Sequence, residues 1–305
     1  MIKRLFYIAL SGFMLASLLT QSAYSISTKR VGEYIFRFSS DTAYVMCDKN
    51  QTSFGVLSDI HGEVEKTREI VSYFAERKVN GIIVAGDISL NPDFRGYNDK
   101  SRVKIIEVLN EISRYNLPVL VIPGNHETRG EYKDAMRKAS ENVVDMVKYR
   151  SVDFCNVKIV SLPGYQFKDF VADNGFYSRP QDVKETGKFT KGELPILLVS
   201  HGPPKITGKL TPGMIYSGRD VGDENITKMI KQSGIKFVVS GHIHEAAGIA
   251  VDFKGNPLQP NKWTDELALN AGTLEEWKNL DGNVYEKTAA IITIKDGKVK
   301  YEIIH

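Results

Sequence analysis

Three short apolar runs, each followed at once by acidic, amide or histidine side chains, constrain the fold of this chain more than any other feature. The runs occupy residues 54–57, 82–85 and 119–122, and apolar residues recur at helical spacing between them. Strands that alternate with helices in this way predict a parallel sheet that is buried on both faces. The polar residues then lie at the carboxyl ends of the strands, where open α/β sheets bind ligands.

Further strands and helices are predicted along the rest of the chain. The two helices between the first strands have apolar faces made by Val64, Thr67, Val71, Phe74 and Ala75 and by Val103, Ile106, Leu109 and Ile112. We also predict strands at 33–38, 43–47, 157–162, 196–200, 237–240, 248–253, 267–270, 289–294 and 299–304, and a helix at 225–232. The polar strand ends continue from Asp59 to His244, which favours one domain over two.

The first 25 residues have the three parts of a secretory signal peptide. Lys3 and Arg4 precede an uncharged apolar run at 5–19, and Ala23-Tyr24-Ser25 offers a cleavage site. The apolar run is shorter than the roughly 20 residues of a typical membrane span. We therefore expect cleavage of residues 1–25 and export to the periplasm or the cell exterior, with an uncleaved membrane anchor as the alternative.

Composition and charge exclude several classes of protein. With 42% hydrophobic and 25% charged residues, the chain is neither disordered nor a multi-span membrane protein. The formal net charge is +3 and no dense Lys/Arg run is present, so no nucleic-acid partner is predicted. The two cysteines, Cys47 and Cys155, form either a disulfide or two buried thiols. The sequence leaves that choice and the oligomeric state open.

Metal ligation is the chemistry that the polar strand ends share. Asp59 and His61 lie two residues apart in an extended segment, so their side chains point to the same side. The other members of the set follow later strands and are Asp87, Asn125, His126, His201, His242 and His244. Nitrogen and oxygen donors without a thiolate suit Mn, Fe, Zn, Ni or Co. The set is larger than one ion needs, so we expect two ions, which together would activate a shared water.

In chain order these groups form the motifs D-x-H, G-D, G-N-H-E, H and G-H-x-H, a set that resembles the calcineurin-like metallophosphoesterase superfamily over about residues 52–303. The resemblance implies an α/β fold in which a two-sheet β-sandwich is flanked by helices, with a dinuclear metal site at the carboxyl ends of the strands. It further implies a first metal held by Asp59, His61, Asp87 and His244, and a second held by Asn125, His201 and His242, with Asp87 bridging the two.

The same resemblance assigns roles to two residues that bind no metal. His126 would act as general acid on the leaving oxygen or would stabilise charge on the phosphoryl group. Glu127 stands where many members of the superfamily have Asp, and it would orient the His126 ring.

Departures from known subfamilies narrow the resemblance. Leu90 stands where purple acid phosphatases have a tyrosine ligand, and Pro123 precedes Gly124 where Ser/Thr protein phosphatases have an arginine. The best match is to small, single-domain bacterial phosphoesterases of the Icc group, which share His-Gly-Pro-Pro at 201–204 and Val-Gly-Asp-Glu-Asn at 221–225. We expect an N-terminal extension of strands at 26–51 and a metallophosphoesterase domain at 52–305.

Two segments are candidates for contacts with the substrate. The polar loop at 203–220 follows His201 directly, and Lys205, Lys209 or Arg219 in it would reach a phosphate. Aromatic residues cluster at 165–177 and are Tyr165, Phe167, Phe170, Phe176 and Tyr177. They would suit stacking on a base or an aryl ester, but we expect these rings to be core residues.

The sequence thus predicts an exported metal-dependent phosphoesterase in which a hydroxide bound between two metals attacks a small-molecule phosphomonoester or phosphodiester. The alternative is a non-catalytic exported module that binds a metal or ligand on the same scaffold. His126 favours the enzyme, because metal binding does not require it. An amide-cleaving metallohydrolase is a third, weaker interpretation, since the chain has no H-E-x-x-H segment. The sequence does not distinguish monoester, diester and pyrophosphate substrates.

Overall fold

The computed structural model describes residues 27–90 and 96–305, and the predicted signal peptide at 1–25 lies outside them. The strands are β1 Ser27–Val31, β2 Tyr34–Phe38, β3 Thr42–Met46, β4 Gln51–Leu57, β5 Gly81–Ala85, β6 Val119–Ile122, β7 Val143–Asp145, β8 Ser151–Phe154, β9 Val157–Leu162, β10 Ile196–Ser200, β11 Phe237–Ser240, β12 Ala250–Val251, β13 Leu267–Asn270, β14 Trp277–Lys278, β15 Val284–Tyr285, β16 Ala289–Lys295 and β17 Lys298–Ile304. The α-helices are α1 Val64–Glu76, α2 Asp99–Ile112, α3 Arg129–Met136, α4 Pro180–Thr186 and α5 Glu224–Ser233. Within the described ranges, none of the helices is long and apolar enough to cross a membrane.

Two large sheets make up most of the fold. The first has six strands in the order β17-β16-β4-β5-β6-β7, and β4 to β7 run parallel. The second has nine strands in the order β1-β2-β3-β8-β9-β10-β11-β13-β12, and β9, β10, β11 and β13 run parallel. Strands β14 and β15 pair separately.

Both faces of the central strands are buried, which explains their continuous apolar runs. In β5, Ile83 and Ala85 belong to the core between the two sheets, together with Phe154 of the second sheet. The alternate residues Ile82 and Val84 pack against α1 and α2 on the outer face. A third apolar cluster packs α4 and α5 against the second sheet. The layers are therefore helices, sheet, sheet and helices, and the predicted sandwich flanked by helices is confirmed.

The N-terminal strands are part of the larger sheet. Strand β3 pairs in parallel with β8, and the Phe36 ring lies 6.3 Å from the Phe154 ring between centroids. Cys47, directly after β3, forms a disulfide with Cys155 in the turn between β8 and β9, and their Cα atoms are 5.2 Å apart. The structure therefore favours the disulfide over two thiols. The division of the chain at residue 52 stays a prediction.

Two local predictions were wrong. Val103 of α2 is 42% exposed, and the buried face of α2 is instead made by Ser101, Ile105, Val108, Leu109 and Ile112. The predicted strand at 248–253 is reduced to β12. It ends there because the Asp252 carboxylate accepts hydrogen bonds from the backbone N–H groups of Lys254 and Asn256, which turns the chain.

Candidate metal centre

The predicted ligands from both sheets meet at the carboxyl ends of five strands. In the six-stranded sheet, Asp59 and His61 follow β4, Asp87 follows β5 and Asn125 follows β6; in the nine-stranded sheet, His201 follows β10, and His242 and His244 follow β11. The two sheets pack face to face, so these ends lie at one edge of the sandwich. The structure thus brings together all seven residues that the sequence predicts as ligands.

Hydrogen bonds between loops hold the first three strand ends side by side. The carbonyl oxygen of Asp87 accepts from the backbone N–H groups of Ile60 and His61 at 2.7 and 3.1 Å. Its carboxylate Oδ1 accepts from the backbone N–H of His126 at 3.0 Å. Asp87 therefore links the loop after β4 to the loop after β6.

Four of the candidate ligands have backbone conformations in the left-handed region. Asp59, His61, Asp87 and His242 have φ values of 48°, 48°, 50° and 68°. Positive φ is uncommon outside glycine, and residues held in such conformations cluster at functional sites. Asp59 and His61 are therefore not in the extended conformation that the sequence predicted, and the surrounding loops orient the four ligand side chains.

Two motif glycines are required by the close approach of carboxylates. A Cβ atom at Gly124 would lie 2.0 Å from Oδ1 of Asp87, and a Cβ atom at Gly241 would lie 2.1 Å from Oδ2 of Asp59. Neither distance leaves room for a side chain. The glycines of the G-N-H-E and G-H-x-H motifs therefore allow the two acidic ligands to enter the site.

The ligand atoms form two neighbouring groups. One consists of Asp59, His61 and His244, and the other of Asp87, His201 and His242; within each group the ligand atoms lie within 4.8 Å of one another. Asn125 adds to the second group, because its Oδ1 lies 2.8 Å from Nε2 of His201. The resemblance implies the same division except for Asp87, which it places with the first metal as a bridge and which lies here in the second group.

The donor atoms of the two groups suit cations. Nε2 of His61 and Nε2 of His244 are 3.4 Å apart, and Nδ1 of His242 and Nε2 of His201 are 3.2 Å apart. His61 Nδ1 is buried without a hydrogen-bond partner among the described residues. Nδ1 of His201 donates to the Ala85 carbonyl at 2.9 Å, an arrangement that leaves Nε2 for a metal. The residues therefore fit two transition-metal ions with nitrogen and oxygen ligands.

The pKa values of the side chains in the site also favour a bound cation. Burial opposes ionisation of Asp87, but the imidazoles of His201 and His126 hold the pKa of Asp87 well below its usual range. Burial opposes protonation of His201, yet the Asp87 carboxylate raises the pKa of His201 to about 9. Burial and the nearby charge of His201 lower the pKa of His242 to about 3. The buried carboxylates thus favour positive charge at the site.

The His126 side chain is more exposed than those of His61, His201 and His244. Its side chain is 25% exposed, and its Nε2 lies 3.7 Å from Oδ2 of Asp87. It lines a small cavity of about 190 Å³ together with His61, Asp87, His242, His244, Glu245 and Trp277. This position leaves its ring free to contact a molecule bound at the site.

Glu127 does not have the contact that the sequence suggested. Its Oε1 accepts from the backbone N–H groups of Ile88 and Ser89 at 2.7 and 2.8 Å, and its Oε2 accepts from that of Gly124 at 2.7 Å. Both oxygens are thus occupied by backbone donors, so Glu127 fixes the two loops and does not orient the His126 ring. Burial, with the Asp87 charge nearby, raises the pKa of Glu127.

Two residues near the ligands were missed at the level of sequence. Oε2 of Glu275 lies 3.9 Å from Nε2 of His61 and 3.9 Å from Nδ1 of His244. The Trp277 ring packs edge-on against His244, with 4.7 Å between centroids. Both follow β13 in a segment that has no motif, and only the fold brings them to the site.

The aromatic cluster is only partly a core element. Tyr165 and Phe176 are buried as predicted, but Phe167 is 47% exposed and Phe170 is 65% exposed, so the core prediction was wrong for these two. Both line a cavity of about 620 Å³ beside His242, together with Tyr165, Lys205, Ile215, Arg219, Asp220, Val221, Gly222 and Ile243. Lys205 and Arg219 thus lie next to the candidate centre, whereas Lys209 is exposed elsewhere on the loop. Their roles stay predictions.

Comparison with known proteins identifies the scaffold. A family model described as calcineurin-like phosphoesterase matches residues 52–246. A search of curated protein sequences finds no significant match.

Solved structures of low sequence identity share the fold. A dimetal phosphatase from Danio rerio is 15% identical with a TM-score of 0.52, covering 84% of this chain and 99% of that chain. The protein TT1561 of Thermus thermophilus is 11% identical with a TM-score of 0.54, covering 82% and 98%. GAP50, the anchor in the inner membrane complex of Plasmodium, is 13% identical with a TM-score of 0.51, covering 84% and 85%. Since the family model matches more than half of the chain, which also has the fold and the motif residues, this protein belongs to the calcineurin-like phosphoesterase family.

Proposed function

We propose that this protein is an exported, metal-dependent phosphoesterase that hydrolyses a phosphomonoester or a phosphodiester at a dinuclear centre. The observation that carries the proposal is the arrangement of two adjacent ligand groups around an imidazole that belongs to neither. Asp59, His61 and His244 form one group, while Asp87, His201 and His242 form the other. His126 lines the same cavity and is partly exposed.

The residues of the site would have separate roles in hydrolysis. Two bound cations would lower the pKa of a water molecule and offset the charge of the phosphoryl oxygens. His126 would donate a proton from its ring to the leaving oxygen, or a hydrogen bond to the phosphoryl group. The hydrogen bond from its backbone N–H to Asp87 fixes the position of His126 relative to the ligands. Glu127, through its three backbone contacts, keeps the loop of Gly124 in place.

Two observations support export. Residues 1–25 have the pattern of a signal peptide. The Cys47–Cys155 disulfide is typical of proteins in oxidising compartments and rare in cytosolic ones. Cell fractionation combined with mass spectrometry of the purified protein tests this part. An N-terminus at Ile26 in a non-cytoplasmic fraction supports export with cleavage, and an intact N-terminus in the cytosol contradicts it.

A non-catalytic binding module on the same scaffold is the alternative. GAP50 shares this fold and is described as an anchor. An imidazole beside a full ligand set favours the enzyme, because a module that only holds metal has no use for His126 at that position.

Hydrolysis with defined metals tests the proposal. The purified protein is stripped of metal, reloaded in parallel with Mn, Zn, Ni, Co or Fe, and assayed with p-nitrophenyl phosphate and bis-p-nitrophenyl phosphate. We expect turnover that depends on the added metal, and a loss of about 100-fold or more in His126→Ala with metal content unchanged. The ratio of the two rates then distinguishes a monoesterase from a diesterase. Absence of turnover with every metal, despite two bound ions, would favour the binding module.

A further inference from the structure

A cavity next to the candidate metal centre is lined mainly by aromatic and aliphatic side chains. His242 lines both this cavity of about 620 Å³ and the smaller cavity that contains His126. The larger volume is within the range of small-molecule sites. A phosphate at the metal centre would therefore have room beside it for the rest of the molecule that carries it.

One wall of the cavity is attached to the ligands themselves. The Tyr165 ring packs on the ring of His242, with 3.6 Å between centroids. The side-chain nitrogen of Asn125 donates to the carbonyl oxygen of Phe170 at 2.8 Å. The segment that contains Phe167 and Phe170 is thus held against two of the candidate ligands, His242 and Asn125.

The opposite wall is an ordered loop. Asp220 accepts from the backbone N–H of Gly222 at 2.8 Å and from the Thr211 hydroxyl, which closes the loop on itself. Val221 O accepts from the side-chain nitrogen of Gln166 at 3.1 Å, which ties this wall to the aromatic one. The cavity is therefore defined by packing before any molecule enters it.

The exposed groups of the cavity identify what it would bind. Phe167 and Phe170 leave much of their ring surface open, although Tyr165 and Phe176 of the same segment are buried. The Tyr165 hydroxyl forms no hydrogen bond within the described part of the chain, and neither does Arg219 form an ion pair there. Open rings and an unpaired guanidinium that line one cavity suit a flat aromatic group, which can stack on either.

Building on the proposed function, we propose that this cavity binds the organic part of the substrate, and that the substrate class is phosphoesters that carry a planar aromatic ring. The phosphoryl group lies at the metal centre, and the ring extends past His242 to contact Phe170 and Arg219. The alternative of a small aliphatic ester leaves the aromatic wall without a partner.

Paired substrates test this inference. We compare kcat/KM for 1-naphthyl phosphate and glycerol 2-phosphate in the metal-loaded wild type and in Phe170→Ala. The substitution removes an exposed ring and keeps the backbone carbonyl that Asn125 contacts. We expect the naphthyl-to-glycerol ratio to fall about tenfold in Phe170→Ala, as for the loss of one stacking partner. Phe170→Tyr, which keeps the ring, and Trp263→Ala, which removes an exposed ring outside the cavity, should keep the wild-type ratio.

A binding measurement separates failure of this inference from failure of the proposed function. Titration calorimetry gives the dissociation constants of benzylphosphonate and methylphosphonate, and we expect the benzyl compound to lose about tenfold in affinity in Phe170→Ala relative to the methyl compound. Turnover of both esters with unchanged ratios would overturn the aromatic site while the phosphoesterase stands. Aromatic-selective binding without turnover of these monoesters or of bis-p-nitrophenyl phosphate would support the cavity but overturn the phosphoesterase.

Discussion

The backbone N–H of His242 donates a 2.8 Å hydrogen bond to Oδ2 of Asp59, which lies 183 positions earlier in the chain. Asp59 follows β4 in the six-stranded sheet, and His242 follows β11 in the nine-stranded sheet. The bond therefore joins the two sheets at the candidate centre. Each ligand group likewise takes side chains from both sheets. A cation bound in either group would hold the two halves of the sandwich together.

We expect Gly241→Ala to disturb the contact between the two sheets at Asp59 and His242. The new Cβ atom would lie 1.9 Å from Ser58 Oγ and 2.1 Å from Asp59 Oδ2, so the two loops must separate. We expect the free energy of unfolding, measured by urea denaturation, to fall by about 1–3 kcal/mol. Gly187→Ala is the matched control, because its nearest neighbour would be Ser233 Oγ at an ordinary 3.6 Å. Equal stability of the two variants would contradict the packing described at Gly241.

Glu275→Gln is expected to weaken metal binding without removing a ligand. The Glu275 carboxylate lies 3.9 Å from a ring nitrogen of His61 and of His244, where its negative charge favours a bound cation. Loss of such a partner typically lowers metal affinity about 10–100-fold. Competition with a chelator of known affinity measures the change. Glu276→Gln alters an exposed neighbour and serves as control; if it weakens binding as much as Glu275→Gln, the position of Glu275 has no special role.

The disulfide is expected to contribute strongly to stability. Cys47 and Cys155 are separated by 108 positions, so their bond closes a long loop. In the chain-entropy model, loops of this length gain the most from cross-linking, and we expect Cys47→Ser with Cys155→Ser to lower the free energy of unfolding by about 2–4 kcal/mol. Reducing agent should lower the stability of the wild type and leave that of the double variant unchanged. A wild type insensitive to reduction would show that the two thiols are not bonded.

The sequence predicts those parts of the fold that have continuous apolar runs or apolar residues at regular helical spacing. The runs that became β4, β5 and β6 are continuous and apolar, and each predicted ligand follows directly from such a run. Helix α3 was missed because its only buried apolar residues are Tyr132 and Ala135, too few to establish a helical period. Val103 was assigned to the wrong face because Ser101, a polar residue, occupies a buried position of α2.

The candidate site also has residues that the sequence predicts and residues that it does not. The ligands were predicted because they lie in short motifs next to glycine residues. Glu275 stands in no motif and reaches His61 only through the fold, across a separation that sequence patterns do not encode. Glu127 has a motif position, but its backbone partners Ile88 and Ser89 belong to another loop. Residues that act through contacts with distant segments of the chain are therefore the ones that sequence reasoning misses or misassigns.

Metal content of single-ligand variants tests the central claim most directly. The protein and its His244→Ala and His201→Ala variants are equilibrated with the metal that gives the highest turnover, dialysed and analysed by plasma mass spectrometry, with His305→Ala as a histidine control. The two ligand groups predict about two ions per chain in the wild type and the control, about one in each ligand variant, and at least a 100-fold loss of ester hydrolysis in both. Full metal content in both ligand variants, or undiminished hydrolysis by metal-free protein, would contradict the account.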